Sequence, residues 1–267
     1  MTTNDFYEKG FLGEHIHTFT EAVLKKYQSF YDACNYINEL AYSIMMGLKV
    51  QNSDLQQLLI ASVFIRVLNG FQSVVILSRL GLVFDAKVVL RAEIESLFIV
   101  KLLCEDKAFV TEYVKSDELR RLLWMNVARN SKAPHFDSLR KQATDEVVRK
   151  LKEEIKRNGC KDLSTEQIAK RAGLGVEYDT DYRLLCEETH TLPRSVEPLT
   201  ILEKGEPREL DPNPSDRELG YVVFTAIRSL HIALVSVTKF FGVDRSAELA
   251  KSSEHLKSLA PLVVVKE

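Results

Sequence analysis

The sequence predicts an all-α protein, a single bundle of about eight helices with a proline-rich loop near its C-terminal end. Apolar residues recur three and four positions apart along most of the chain, which is the spacing of one helix face. Only 11 of the 267 residues are Gly and only 7 are Pro, fewer than an all-β protein needs for its turns. We find no segment in which apolar and polar residues alternate over the length of a strand.

An N-terminal helix is expected over 12–50. Its apolar stripe begins at Phe19 and continues in steps of three and four residues to Leu48. Thr18 and Glu21 form a capping box, a pattern in which two side chains bind the free backbone amides of a helix start.

The helical core is expected over 53–191, and the remainder of the chain is predicted to be a loop followed by two helices. Helix starts are predicted by capping residues or charge patterns at Ser53, Asp85, Lys107, Asp137, Ser164 and Thr180. Five of the seven prolines lie in 193–214, among charged residues, so this segment is predicted to be a surface loop. The C-terminal helices are expected over 215–260, the first ending at Gly242.

The composition excludes several classes of protein. Hydrophobic residues make up 45% of the chain and charged residues 28%, which excludes collagen-like, low-complexity and wholly disordered chains. The 36 Lys and Arg nearly balance the 38 Asp and Glu. This balance excludes a strongly basic nucleic-acid binder, although it leaves room for a local basic patch.

We expect a cytoplasmic protein. The cysteines, Cys34, Cys104, Cys160 and Cys186, form no CxxC pair and no zinc-ligand spacing, and we interpret them as reduced thiols. The start of the chain, MTTNDFYEKG, contains no basic region followed by an apolar run, so no secretory signal is predicted.

Two segments are apolar enough to be tested as membrane spans, 55–84 and 220–243. Arg66 lies within the first, and Arg228 and His231 lie within the second. Charges near the centre of a span are costly, so we expect buried helices and no membrane partner. Arg228 and His231 fall off the apolar stripe of their helix and are predicted to be surface residues.

One predicted core helix carries a charged pair within its apolar stripe. At about 100° per residue, Glu95 lies near the centre of the apolar face and Arg91 lies on its flank. A buried charge must be paired or neutralised. Two interpretations stay open: a salt bridge that fixes helix packing, or a carboxylate that acts as acid, base or ligand.

The preceding helix carries a polar row of Arg66, Asn69 and Ser73 at positions i, i+3 and i+7. Such a row can be an interhelical polar seam or a dimer contact, and it can also form one wall of a polar pocket.

A further candidate lies in 182–190, where Tyr182 and Cys186 share a helix face and His190 lies on its shoulder. Cys186 and His190 are four residues apart, which could place two metal ligands side by side. A third ligand is not evident, so no metal is expected.

Several of these residues resemble the motifs of an uncharacterised bacterial family, domain of unknown function 5677. The resemblance covers 55–198 and rests on the run Arg91-Ala92-Glu93-Ile94-Glu95, then residues 169–173, then Tyr182 with His190. It implies an all-helical fold and a polar cluster of Arg91, Glu95, Tyr182 and His190, but no known activity. Cys186 or Glu187 stands where that family usually has a serine.

An alternative candidate site is formed by Arg129 and His135. Their spacing is similar to the loose Arg-Asn…His pattern of the helical ribonucleases called HEPN (higher eukaryotes and prokaryotes nucleotide-binding) domains. That resemblance implies His135 as general acid or base on the ribose 2′-hydroxyl, with Arg129 stabilising phosphate charge. Pro134 disfavours a helix through both residues.

Other motifs narrow the function further. Residues 164–174 resemble the first helix and turn of a helix-turn-helix, but Glu177, Asp179 and Asp181 follow, and their charge opposes a DNA backbone. No sequence-specific DNA partner is therefore expected. The sequence lacks the GxxxxGKS, GxGxxG, GxSxG and HExxH motifs, and we expect no cofactor.

Three functional hypotheses follow. The first is a non-catalytic interaction or regulatory protein that forms homo-oligomers through an apolar helix and binds a protein partner. The second is a metal-independent ribonuclease, a toxin or phage-defence effector that acts on RNA through Arg129 and His135 or through His190 near Arg91 and Glu95. The third is a small-ligand sensor with a polar pocket between helices.

Overall fold

The computed structural model describes residues 8–190, 193–203 and 205–263. That part of the chain contains eleven helices of at least six residues and one two-stranded antiparallel sheet, which confirms the all-α prediction. The helices are α1 (Ile16–Lys26), α2 (Gln28–Gly47), α3 (Leu55–Arg79), α4 (Val83–Glu105), α5 (Lys107–Asn130), α6 (Asp137–Gln142), α7 (Asp145–Asn158), α8 (Thr165–Arg171), α9 (Arg183–Thr189), α10 (Leu219–Phe241) and α11 (Ser246–Leu259). The strands are β1 (Thr200–Glu203) and β2 (Glu206–Leu210).

Helices α3, α4 and α10 form the centre of the bundle. A tight turn joins α3 to α4, so these two helices run antiparallel, and α10 packs against both of them while α2 packs against α10. Phe64, Phe71 and Phe98 are among the largest fully buried side chains of this core. Helices that are apolar on most sides need neighbours on several sides, and this arrangement supplies them.

Helices α3 and α10 also have the length and composition of membrane-spanning helices. In the bundle, 44% of the most apolar window of α3 and 61% of that of α10 are buried against other elements. The larger exposed share of α3 leaves an apolar surface on this helix that the described residues do not cover.

Gly81 makes the turn between α3 and α4 possible. Its φ is +74°, and a Cβ atom there would lie 2.6 Å from both Phe19 and Pro214. Its carbonyl oxygen accepts a hydrogen bond of 3.1 Å from the backbone amide of Ser215, which fixes the chain ahead of α10. Only glycine combines this backbone conformation with such close neighbours.

The expected N-terminal helix over 12–50 is divided into α1 and α2 at Tyr27, whose φ of −111° and ψ of 30° are not helical. The Tyr27 hydroxyl donates a hydrogen bond of 3.3 Å to the carbonyl oxygen of Asp216, and Lys26 pairs with the Asp216 carboxylate at 2.5 Å. The break lies where the chain is anchored to a segment far away in sequence, and such a contact leaves no local signal.

The predicted loop over 193–214 contains the hairpin of β1 and β2. Its strands pair from Thr200 with Leu210, and the register shifts where Leu202 meets Pro207. A proline has no N–H to donate, so an irregularity in the ladder is where a strand tolerates it. Gly205, with φ of +86°, lies in the turn between the strands.

Residues 107–158 form a helical arm, which we call the charged arm. The first turn of α5 contributes Phe109 and Val110 to the main core, whereas Met125 belongs to a second small core with Val148 and Leu151 of α7. The charged helix expected from Asp137 is divided into α6 and α7, because the Thr144 side chain accepts a hydrogen bond from the Val147 amide and caps a new helix.

Two of the glycines with positive φ, Gly81 and Gly159, test the role of the turn between α3 and α4. Both have positive φ, but a Cβ atom at Gly159 would meet nothing within 4 Å. We expect Gly159→Ala to lower the free energy of unfolding by about 1 kcal/mol, through backbone strain alone. Gly81→Ala adds steric overlap, so we expect a loss of about 2 to 4 kcal/mol in urea unfolding. Equal losses for the two variants would contradict the close approach described for Gly81.

Candidate functional site

Arg91 of α4 is the centre of a polar cluster that joins α4 to α9. Its Nη2 donates to the Tyr182 hydroxyl at 2.8 Å, and its Nε lies 3.2 Å from Cys186 Sγ. Its Nη1 lies 3.8 Å from Glu95 Oε2. We call Arg91, Glu95, Tyr182 and Cys186 the Arg91 cluster.

The guanidinium of Arg91 is largely committed to these neighbours. Besides the two hydrogen bonds, it lies over the Tyr182 ring, 5.0 Å from its centroid, in a cation–π contact. Burial raises the pKa of the Tyr182 hydroxyl, which therefore stays neutral and accepts from the guanidinium. The geometry is that of a clamp between two helices, in which each polar group of the cluster has a protein partner.

His190 follows the last turn of α9 and is exposed to solvent. The hydrogen bonds and ion pair of the Arg91 cluster described above do not include it. Its assignment as a site residue, and that of the cluster as a whole, remain predictions.

Arg66 contacts a different part of α4. Its Nε donates to Ser96 Oγ at 3.1 Å, and the Ser96 hydroxyl in turn donates to the carbonyl oxygen of Ala92 at 2.8 Å. Arg66 therefore forms a polar contact between α3 and α4. Such an interhelical seam was one of the interpretations of the polar row on α3. Asn69, another member of the row, faces solvent.

The buried carboxylate of Asp181 forms an ion pair with Arg228 that the sequence analysis missed. Asp181 is almost fully buried, pairs with Arg228 of α10 and accepts a hydrogen bond of 3.0 Å from the Tyr221 hydroxyl. Arg228 is half-buried, so its prediction as a surface residue is wrong. Arg228 lies off the apolar stripe of α10, but this side of the helix faces the π-helical turn Tyr178–Tyr182, which contains Asp181.

His231 was also predicted to be a surface residue and is instead half-buried. Its Nδ1 lies 3.0 Å from Ser252 Oγ and its Nε2 lies 3.3 Å from Ser253 Oγ, both on α11. Burial lowers the pKa of His231, so the ring is neutral near pH 7 and links α10 to α11.

The buried carboxylate of α4 is Glu93 and not Glu95, whose side chain is 39% exposed. The expectation of Glu95 at the centre of the buried face is therefore wrong. Neither carboxyl oxygen of Glu93 has a hydrogen-bond partner among the described residues, and complete burial raises its pKa well above its ordinary value. Gly70 of α3 lies directly against Glu93, since a Cβ atom there would be 3.0 Å from Glu93 Cβ.

The alternative pair, Arg129 and His135, lies on the charged arm. Arg129, near the end of α5, pairs with Asp145, the first residue of α7. His135 is exposed in the 3₁₀ turn Pro134–Phe136, and its ring centroid lies 4.5 Å from that of Phe136. The two residues therefore belong to different elements, and the ribonuclease assignment stays a prediction.

No group of three or more His, Cys, Asp or Glu side chains within the described residues has the geometry of a metal site.

The fold and the Arg91 cluster define a class of protein, an all-α bundle in which polar side chains join neighbouring helices. The model of a family of unknown function, DUF5677, matches residues 57–207. This match spans more than half of the chain, and the chain belongs to that family. It confirms the resemblance found from the sequence motifs in 55–198. No curated protein and no solved structure matches the chain.

The buried Glu93 makes stability depend on pH. Above its ordinary pKa of 4.5 the unfolded chain releases this proton, whereas the folded chain retains it. The free energy of unfolding therefore falls as pH rises, by up to about 1.4 kcal/mol per pH unit from this group. We expect Glu93→Gln to remove this part of the slope in urea unfolding between about pH 5 and 8. The control is Glu95→Gln at the half-exposed position. A pH profile unchanged by Glu93→Gln would show that Glu93 is ionised in the folded protein.

The Arg91 cluster predicts a difference between Arg91 and His190. Arg91→Met removes hydrogen bonds to Tyr182 and Cys186 that a charged donor makes, so we expect the free energy of unfolding to fall by about 2 kcal/mol. His190→Ala, at an exposed position, is expected to change it by less than about 0.5 kcal/mol. Thermal or urea unfolding measures both, and a large loss for His190→Ala alone would contradict the clamp.

Proposed function

We propose that the chain is a non-catalytic helical interaction protein that self-associates through the exposed face of α3. All four cysteines are free thiols, which supports a reducing compartment such as the cytoplasm. The observation that carries the proposal is the apolar surface of α3 that the bundle leaves uncovered.

This surface follows one side of α3 along most of its length. Leu58, Ile65 and Ile76 are 37%, 43% and 56% exposed. On an ideal helix their separations of 7 and 11 residues place all three within about 20° of one line. Large apolar side chains in a row cost free energy in water unless another surface covers them.

The spacing of this row is that of a coiled-coil seam. Steps of four and three residues alternate through Leu58, Ser62, Ile65, Asn69, Gln72 and Ile76. This is the a/d pattern of a heptad repeat, in which three of the six residues, Ser62, Asn69 and Gln72, are small or polar. A single Asn in such a seam, here Asn69, fixes register and the number of chains at some cost in stability.

The heptad pattern on α3 is best covered by the same surface of a second copy of the chain. A two-fold contact brings the same row from each copy together, and a row that mixes apolar and uncharged polar residues is self-complementary. From Leu58 to Ile76 the seam is about 27 Å long at 1.5 Å per residue. The polar row predicted from Arg66, Asn69 and Ser73 then serves two purposes, because Arg66 joins α3 to α4 while Asn69 faces the partner copy.

The Arg91 cluster supports the non-catalytic part of the proposal. The guanidinium of Arg91 on α4 is held by Tyr182 and Cys186, so it joins α4 to the segment that contains α9 in the folded chain. A catalytic arginine has to be open to a substrate in the same geometry.

Ile65→Glu tests the interface. A carboxylate in the middle of the seam is buried without a partner in the dimer, so we expect the dimer to dissociate to monomers at micromolar concentration. Light scattering coupled to size exclusion measures the mass, and circular dichroism checks that the fold is kept. Val176→Glu, at a position that is 73% exposed on another element, is the matched control and should stay dimeric. A wild-type chain that is monomeric at micromolar concentration would overturn the proposal.

A further inference from the structure

Charge is distributed unevenly between the charged arm and the rest of the chain. Residues 107–158 contain 13 Lys and Arg against 8 Asp and Glu, a net charge of +5. The remaining residues contain 23 Lys and Arg against 30 Asp and Glu, a net charge of −7. The balanced total therefore conceals a basic arm on an acidic body.

Many cations of the arm are not neutralised by neighbouring acids. Some do form ion pairs, such as Arg149 with Glu153 and Lys150 with Glu146. Among the described residues, however, seven exposed cations of the arm form no ion pair: Lys107, Arg120, Arg121, Lys132, Lys141, Lys152 and Lys156. Unpaired, solvated cations keep their field available to an anionic partner.

One side of the arm is a basic depression between α5 and α7. It has a volume of about 360 Å³ and is lined by Arg129, Asp145, Val148, Arg149, Lys152, Glu153 and Lys156. Four cations face two carboxylates there, so the depression keeps a net positive charge. On α7, Arg149, Lys152 and Lys156 follow one another at i, i+3 and i+7, which aligns them along one face of the helix.

A second depression on the arm, of about 320 Å³, combines positive charge with an aromatic ring. Its lining includes Arg120, Arg121 and Trp124 of α5 with Leu139 and Gln142 of α6, and Asp117 is the one carboxylate there. Trp124 is 55% exposed. An exposed indole beside two guanidinium groups offers a flat apolar face for stacking and charges for phosphate.

The outer end of the arm is held in place by Arg140. Its guanidinium donates to the carbonyl oxygens of Ala128, Ser131 and Ala133 at 3.1, 2.5 and 3.2 Å. These bonds fix the link from α5 to α6, so the two walls of the second depression keep their relative positions. Binding of a partner there therefore costs little free energy for ordering the protein.

We propose that the charged arm binds single-stranded nucleic acid, with phosphates along the cations of α5 and α7 and a base stacked on Trp124. Stacking platforms next to cationic tracks are the features that bind single strands without sequence preference. An acidic protein or a sulfated polysaccharide would use the same cations but has no base for the indole. The involvement of Trp124 is what separates these partners.

The chain contains a single tryptophan, so its intrinsic fluorescence reports directly on Trp124. The probes are fluorescein-labelled oligo-U RNA and oligo-dT DNA of about 12 nucleotides, with a heparin fragment as a polyanion without bases. We expect both single strands to raise anisotropy and quench the Trp124 fluorescence, with binding that weakens steeply between about 50 and 200 mM salt. The strand that binds more tightly identifies whether RNA or DNA is the preferred partner.

Variants of the full chain separate the two parts of the surface. Lys152→Glu with Lys156→Glu should weaken binding at least about 10-fold and flatten its salt dependence. Trp124→Leu should weaken it about 10-fold with the salt dependence unchanged, whereas Trp124→Phe keeps a stacking ring and most of the affinity. The matched control is Lys25→Glu with Lys49→Glu, which makes the same change of charge on the acidic body and should leave binding within about 2-fold.

The proposal fails if neither single strand changes the anisotropy. It also fails if heparin binds as tightly as the strands and the strands leave Trp124 fluorescence unaltered, since that result would identify a general polyanion site. Thermal unfolding of every variant shows that the fold is intact. A Trp124→Leu variant that is folded and binds as tightly as wild type would show that no base stacks on Trp124. That result would contradict nucleic acid as the partner.

Discussion

Three helices that are apolar on most of their surface, α3, α4 and α10, must exclude water from one another, and the positions of the other elements follow from this requirement. Gly70 has no side chain, so the backbone of α3 packs directly against Glu93 of α4. Helix α10 covers both, and α2 covers α10. The exposed row of α3 is the part of this apolar surface that the described residues leave in contact with water.

The sequence predicts the class of fold well because helical periodicity is a local property. Left-handed glycines end α7 at Gly159 and α10 at Gly242, as the sequence indicates. The misses have non-local causes. The break at Tyr27 depends on Asp216, which is 189 residues away in sequence. Four of the five prolines in 193–214 lie outside the two strands and favour a loop, and a register shift at Pro207 is what allows strands there.

The candidate site was predictable only in part. The family motifs indicated Arg91 and Tyr182, and the structure brings these two side chains into contact. Periodicity selected Glu95 over Glu93, because a helix that is apolar on nearly every side gives no clear direction to its buried face. The pairing of Asp181 with Arg228 joins segments with no shared pattern. The nearest sequence signal was a charged residue within an otherwise apolar α10.

The separation of charge between the arm and the body gives each molecule a large electric dipole. When the Debye length reaches about 30 Å, at an ionic strength of about 0.01 M, the arm of one molecule attracts the body of the next over its whole length. Copies then associate head to tail without closure, and turbidity results. Physiological salt shortens the Debye length to about 8 Å and disperses such chains, so the protein dissolves more readily as salt is added.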